Sequence, residues 1–587
     1  VLVKSKNCSN MSDKKNQNHM NSNQISSENK LILIKKPVIC LILISLVGLA
    51  IRIYSYPYDL PVFQDMTAYF WYAIDMSILD EFPQMMSNRL LVEPPYPPYS
   101  FANNGWPVFL SLFFSLANFD NVLAYMDLQR GITITISILT VIPMYLLCTK
   151  FFGKYFSLLG TALFVFQPRI IENSILGGNE PLFLFLGVCT LTLFLSKNIK
   201  MIYGSFVVAG LFSLVRFEGL LILIPMTVVF FYRFRFSKTA IAKYAIAVGL
   251  ILLIILPMAH IRTETLGYDG LFSSIIAGPK YIVGSVSGDG VFWNNLEMGQ
   301  VSTEQKIFYF IQNGVQNLVK NLGKSLIPTF SFLAPIGIFF LFRKLDYKKI
   351  TLIITIIVFL VPAFYVYSRD IQELKYLLIL FPIFSIASMF TLRRIFVKFN
   401  ESSKIFVVFL ISILIFSVGY LVYFSPDLEH EREALAIAMI IKDTTKKINT
   451  YYPEGMYFIH VTKNTDFEEF PVLSTSIPLS KSTSVSIFDW IGYQDNPNVQ
   501  NILEGEIKGM DSVEDYIIFG KEVGLTHLVI DGKSAQPNVL NDIFYNEKNY
   551  PYLLKQFDSM EHGFKYHMKI YKIDFHLFEK YLENDFR

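Results

Sequence analysis

Through residue 424 the chain alternates apolar runs with short polar connections. Runs that cross, or nearly cross, a bilayer lie at 37–54, 128–149, 155–170, 180–196, 202–217, 218–232, 240–260, 325–342, 350–367, 374–391 and 404–424, judged against the ~20 apolar residues a spanning helix needs. The stretch "WPVFLSLFFSLAN" (106–118) is shorter, and its length suits a re-entrant or interfacial segment. The pattern changes after 425. Ser425-Pro426-Asp427 opens a helix into "EREALAIAMIIKDTTKK". Strand-like runs follow at 456–462, 526–532 and 565–573, with a helix signal at "VEDYIIFGKEVG". The expected fold is an α-helical polytopic membrane protein of about 11 spans, with a small C-terminal α/β domain over 425–587.

Basic residues set the sidedness. If 106–118 does not cross, "LIKKP", "KFFGK", "SKNIK", "YRFRFSK", "FRKLDYKK" and "RRIFVKFNESSK" all fall on one side, the cytoplasm. The other side then receives loop 55–127, turn 171–179, the junction "VRFEG" (215–219), loop 261–324, "YSRDIQELK" (367–375) and the C-terminal domain. The first run lacks a small-residue cleavage site and is expected to be a retained anchor. Residues 1–36 are expected to form a disordered cytoplasmic tail, polar and rich in Asn, Ser and Lys, with Met11 as an alternative start.

Composition agrees with this class. The chain is 52% hydrophobic and 17% charged, too little charge to cover a soluble protein of 587 residues. A net charge of +3 gives no argument for nucleic acid. Cys8, Cys40, Cys148 and Cys189 have neither paired nor C-x-x-C spacing, so neither a disulfide framework nor a zinc site is indicated.

Ionisable groups in or beside spans are costly, and each is a functional candidate. On this topology they gather on the outer face. Asp65 lies beyond the first span beside Tyr69, Phe70, Trp71 and Tyr72, aromatics that suit an interfacial helix. Glu180 opens the fourth span after Gly177-Gly178-Asn179, Arg216 and Glu218 sit between two spans, and Arg369, Asp370, Glu373 and Lys375 crowd the next outer turn before Tyr376. A phosphate at bilayer depth needs Arg or Lys to replace its lost water. A carboxylate facing it acts as a general base or holds a divalent ion. Bland readings compete. Asp59, Asp75, Asp80, Glu81 and Glu93 share the loop with Asp65, Arg216 and Glu218 make an interfacial pair, Lys375 snorkels, and Glu180 complements a helix dipole.

Taken in order, "QDMTAY", "NNGWPVFLSLF", "TVIPMYLL", "ILGGNEP", "VRFEG" and "ELKYLLILFPIF" resemble the polytopic GT-C glycosyltransferases that use polyprenyl-phosphate-linked sugars. That group includes protein O-mannosyltransferases, aminoarabinose transferases of lipid A and oligosaccharyltransferase catalytic subunits. The resemblance implies a transmembrane catalytic domain over 37–424 with outer loops 55–127 and 261–324. It implies a multi-pass cell-membrane enzyme with a lipid-linked sugar donor and a protein, glycan or lipid acceptor. Asp65 resembles the catalytic Asp of the first loop, which in that group contacts the acceptor or acts as base, and Glu180 resembles the second acidic residue. Arg216 and Glu218 match an R-x-E-G junction, Arg369 and Lys375, with Tyr376, match a basic outer turn, and the resemblance implies that these five residues bind the donor phosphate.

There are departures. "GGNEP" replaces a D-x-D pair, which weakens any expectation of magnesium or manganese, and no metal ligand is assigned. The W-W-D-Y-G motif is absent, with "FDWIGY" (488–493) a distant echo, so oligosaccharide transfer to Asn is the lesser alternative. A lipid-linked-sugar transporter or flippase is another, without the repeats and broken midplane helices it more often shows. A glycan polymerase or ligase would put its basic residues in loop 261–324 (Arg262, Lys280, Lys306, Lys320). The C-terminal histidines His460, His527, His562 and His567 are expected to be structural.

Overall fold

A computed structural model describes residues 37–62, 65–78, 104–119, 122–266, 269–270, 272, 303–399, 403–424, 428–445, 450–451, 456–460, 472–476, 512–522, 525–532, 535–536 and 538–585. Lys280 and "FDWIGY" lie outside the described residues, as do the side chains of Asp65, Lys306 and His460. The described residues form two compact units. One is drawn from Val1–Tyr56, Phe101–Trp106 and Gly131–Ser425, the other from Pro57–Ser100, Pro107–Arg130 and Pro426–Arg587.

All eleven apolar runs carry helix. Among the described residues, seven helices are long and apolar enough to cross a membrane by themselves: Pro37–Tyr54, Leu123–Thr149, Phe217–Phe234, Lys238–Glu264, Tyr347–Ser368, Leu374–Lys398 and Lys404–Tyr423. The other four runs hold the shorter helices Ser157–Val165, Glu180–Phe194, Ile199–Val215 and Leu333–Leu341. Specific residues shorten them. Ser157–Val165 stops before Gln167-Pro168, where the residue preceding proline is forced out of the helical region (ψ 121°). Ile199–Val215 stops at Arg216, whose backbone is extended. The 106–118 segment forms the ten-residue helix Gly105–Phe114, ~15 Å at 1.5 Å per residue and too short to span.

The span Leu374–Lys398 is central, with 78% of its apolar window buried, whereas Pro37–Tyr54 and Lys404–Tyr423 bury only 17% of theirs. A helix apolar all round but mostly unburied is one whose side chains face lipid. Ser157–Val165 has every residue buried. Gly160 lets it approach Cys148 and Met389, where a Cβ would sit 2.8 Å from the cysteine sulfur.

In the second unit a three-stranded antiparallel sheet has Lys569–Ile573 at its centre, between His527–Ile530 and Leu553–Asp558. Side chains alternate across it. Leu528, Ile530, Tyr571 and Ile573 join a core with Tyr516, Ile517, Tyr552 and Phe578 on one face. Val529 and Ile570 join Ile437 and Ile441 of the helix Glu429–Thr444 on the other. Helices on both faces make this an α/β arrangement. His527 bonds Thr526, while His567 and His562 contact Asp558 through its carboxylate and its carbonyl.

Candidate functional site

Three breaks in helical structure build the site in the first unit. The helix Glu180–Phe194 follows a turn in which Gly177 has φ of 92°, a left-handed conformation that a Cβ disfavours. Pro181 stands in its first turn, so Glu180 is held at a helix start. The second break is Arg216, after which Phe217–Ile222 forms a 3-10 turn. Gly219 N–H donates to Arg216 O at 2.8 Å, and any Cβ on Gly219 would meet Phe212 O at 2.8 Å. The backbone before Arg216 is pressed from another side. A Cβ on Gly105 would lie 2.6 Å from Leu214 C and O and 2.7 Å from Val215 N. The third break is the 3-10 turn Leu374–Leu380, which carries Tyr376.

These breaks bring Glu180, Arg216, Glu218 and Tyr376 together. Arg216 Nη1 donates to Glu180 Oε1 at 3.2 Å and Nη2 to Glu218 Oε1 at 3.0 Å. The three side chains are 9%, 7% and 11% exposed, for Arg216, Glu180 and Glu218. The guanidinium carbon stands 5.4 Å from the Tyr376 ring centre and 5.6 Å from that of Phe183, which stacks on Phe212 at 4.0 Å. The planar guanidinium thus bridges two carboxylates between aromatic rings, a geometry ammonium cannot reproduce.

The charge does not balance within the cluster. One guanidinium meets two carboxylates, and the second oxygens, Glu180 Oε2 and Glu218 Oε2, are buried with no hydrogen-bond partner among the described residues. A buried carboxylate oxygen in that position calls for a proton, a cation or a donor from substrate. No group of three or more His, Cys, Asp or Glu that could hold a metal occurs among the described residues.

The turn 369–375 lies in the same unit. Lys375 Nζ pairs with Glu373 Oε2 at 2.5 Å and stands 5.7 Å from the Tyr376 ring centre. Arg369 is exposed, over the Tyr365 ring. Asp370 has φ of 60° and accepts from Asn317 and Gln372.

Asp65 belongs to the second unit, as the first residue of the helix Asp65–Ile78. The aromatic residues after it differ from expectation. Tyr69, Phe70 and Tyr72 are buried in protein rather than spread at a bilayer interface, because Phe70 packs edge-on against Phe114, which packs on Tyr125. Three arginines have organising roles that the sequence reading did not assign, although it named Arg262 as a basic residue of loop 261–324. Arg52 bonds Ser174, Ser137, Gly48 O and Val165 O; Arg130 bonds three carbonyls of the segment before Asp65; Arg262 bonds Asn104 beside Gly105. The available signal was a lone Arg within or at the end of an apolar run, which demands buried partners.

No protein-family model matches the chain, and no curated protein matches it. Solved structures do. An Archaeoglobus fulgidus oligosaccharyltransferase, tethered to an acceptor peptide containing the NVT sequon, is 14% identical, with 85% of this chain and 70% of that one covered and a TM-score of 0.50. ArnT from Cupriavidus metallidurans, bound to undecaprenyl phosphate, is 11% identical over 90% of this chain and 97% of its own, with a TM-score of 0.49. The likeness to the oligosaccharyltransferase is one of fold. The chain shares that fold and is a multi-pass helical membrane protein with a C-terminal α/β domain.

Proposed function

We propose that this chain is a membrane glycosyltransferase that moves a sugar from a polyprenyl-phosphate donor to a hydroxyl of a protein, glycan or lipid acceptor. On this reading the region 37–424 is catalytic, the N-terminus is cytoplasmic, and the site and residues 425–587 are extracytoplasmic. The observation that carries it is the buried Glu180–Arg216–Glu218 cluster, built at interrupted helices within a GT-C-type fold.

The reaction assigns each group a task. Asp65 takes the proton of the acceptor hydroxyl. The acceptor oxygen attacks the anomeric carbon, and the bond to the phosphate oxygen breaks, with the electron pair leaving on polyprenyl phosphate. A single displacement inverts the sugar carbon. Arg369 and Lys375, with Tyr376, meet the donor phosphate. Arg216, with both terminal nitrogens engaged by carboxylates, orients Glu180 and Glu218 beside Tyr376. If Asp65 has this role, Asp65→Asn abolishes transfer while the protein still folds and inserts.

A divalent cation fits Glu180 Oε2 and Glu218 Oε2, which would hold it alongside substrate oxygens. Bound there it would neutralise charge on the departing phosphate. That fit favours a second reading, oligosaccharyltransferase-like transfer to an Asn-x-Ser/Thr acceptor. Strict magnesium or manganese dependence with that acceptor would establish it over hydroxyl transfer.

A further inference from the structure

Between the first membrane helix and Asp65 the chain has no regular secondary structure through Val62, and Pro57 and Pro61 remove two backbone donors. Such a segment must find partners for its carbonyls elsewhere, above all where it is buried, as Pro57, Leu60, Pro61 and Val62 are. One side chain gathers them. Arg130, fully buried on the helix Val122–Leu139, donates Nη1 to Pro57 O at 3.2 Å and to Leu60 O at 2.5 Å, and Nη2 to Pro61 O at 2.7 Å. Its neighbour Gln129, also fully buried, donates Nε2 to Met66 O at 3.1 Å, the carbonyl one residue beyond Asp65. Two consecutive residues of one helix therefore fix the chain on both sides of Asp65.

A second support comes from the C-terminal domain. Arg432, on the helix Glu429–Thr444, forks onto Asp59, with Nε to Oδ2 and Nη2 to Oδ1 at 3.3 Å. Asp59 lies between two residues whose carbonyls Arg130 holds. This pair is half exposed and contributes less than the buried contacts.

We propose that Arg130 and Gln129 are the positioning residues of the Asp65 segment, and that Arg432 makes the C-terminal domain part of that support. The proposal rests on the reading of Asp65 as the group that takes the acceptor proton. A purely structural reading of Arg130 has it satisfying buried carbonyls with no consequence for turnover. The two differ in what a variant changes. A positioning role predicts local loosening at 58–66 and a loss in kcat with KM little altered, since misplacement of a reacting group by about 1 Å costs on the order of a hundredfold in rate.

Hydrogen exchange followed by mass spectrometry on the full-length protein in nanodiscs tests this, beside turnover of a panel of radiolabelled undecaprenyl-phosphate hexoses. Arg130→Met is expected to speed exchange at 58–66 by about tenfold or more, with the central span Leu374–Lys398 unchanged, because charge-assisted bonds to three carbonyls are lost. Arg130→Lys restores part of the protection and part of kcat, Gln129→Leu loosens the Met66 end, and Arg432→Ala gives a smaller acceleration. Unchanged exchange at 58–66 in folded Arg130→Met overturns the proposal, as does acceleration spread equally over the membrane helices. If Arg130→Met does not fold, Arg130→Lys and Gln129→Leu decide by the same two readouts. Asp65→Asn separates the two readings. It leaves exchange unaltered, and if it keeps full turnover the functional reading falls while the exchange data still report on the clamp.

Discussion

Removing the Arg216 guanidinium is the most informative perturbation of the site. In Arg216→Met two carboxylates stay in place, less than an eighth exposed, without the cation that bridges them at 3.2 and 3.0 Å. At an effective dielectric near 20, each contact is worth about 5 kcal/mol of Coulomb energy at these distances, most of it offset by the cost of desolvating the charges. What remains visible on deleting one partner of a buried pair is about 3–5 kcal/mol. At about 2 °C per kcal/mol for a unit of this size, the apparent melting temperature in detergent falls by roughly 6–10 °C. The companion variant Arg216→Met/Glu180→Gln/Glu218→Gln removes the stranded charges and recovers most of that loss. Arg216→Lys recovers little, because one ammonium on a flexible stem does not span two carboxylates with fixed geometry. Thermal unfolding followed by intrinsic fluorescence measures all four proteins. If Arg216→Met melts within about 2 °C of the wild type, or the triple variant melts no higher than Arg216→Met, then the charge-bridging account of this cluster is wrong.

Further expectations follow from the same geometry. Gly105→Ala forces a methyl against Leu214 and Val215 backbone 2.6–2.7 Å away, and overpacking of this kind costs about 1–3 kcal/mol in denaturation and lowers transfer by displacing Arg216. Asp59 is held below the usual carboxylate range, chiefly by its hydrogen bond from Arg432. A depressed folded pKa contributes stability above the unfolded value of about 3.9 and loses it as pH falls toward the folded value. The stability gap between wild type and Asp59→Asn is therefore flat from about pH 5 to 8 and closes below about pH 4 in pH-dependent melting. If Glu180 and Glu218 hold a divalent ion, EDTA suppresses transfer and manganese or magnesium restores it in the wild type, whereas Glu180→Gln/Glu218→Gln gains nothing from added metal.

Much of the membrane architecture was legible because its cause is local. A run such as 404–424 has no alternative to burial in lipid. The polar residues at Glu180, at Arg216 and Glu218, and at Arg369 to Lys375 were legible for the related reason that charge at bilayer depth is expensive. Their pairing was not. Arg216 looked like a cation awaiting a phosphate, but Glu180, 36 residues earlier, and Glu218 share it, and only the packing of separate helices decides that. Arg130 was invisible for a different reason, since its partners are backbone carbonyls, which every residue has. In the C-terminal domain the strand Leu553–Asp558 escaped because a bulge between Lys555 and Phe557 interrupts the alternation that marks a strand.

The central claim is that carboxylate chemistry on the outer face cleaves a sugar from a lipid phosphate. Purified full-length protein, incubated with radiolabelled undecaprenyl-phosphate hexoses and a membrane acceptor fraction, tests it by release of free undecaprenyl phosphate coupled to acceptor labelling. The account predicts coupled release in the wild type, loss of both in folded Asp65→Asn, and strong reduction in Glu180→Gln. Release and labelling at wild-type rates in Asp65→Asn, or no release from any member of the panel, would contradict it.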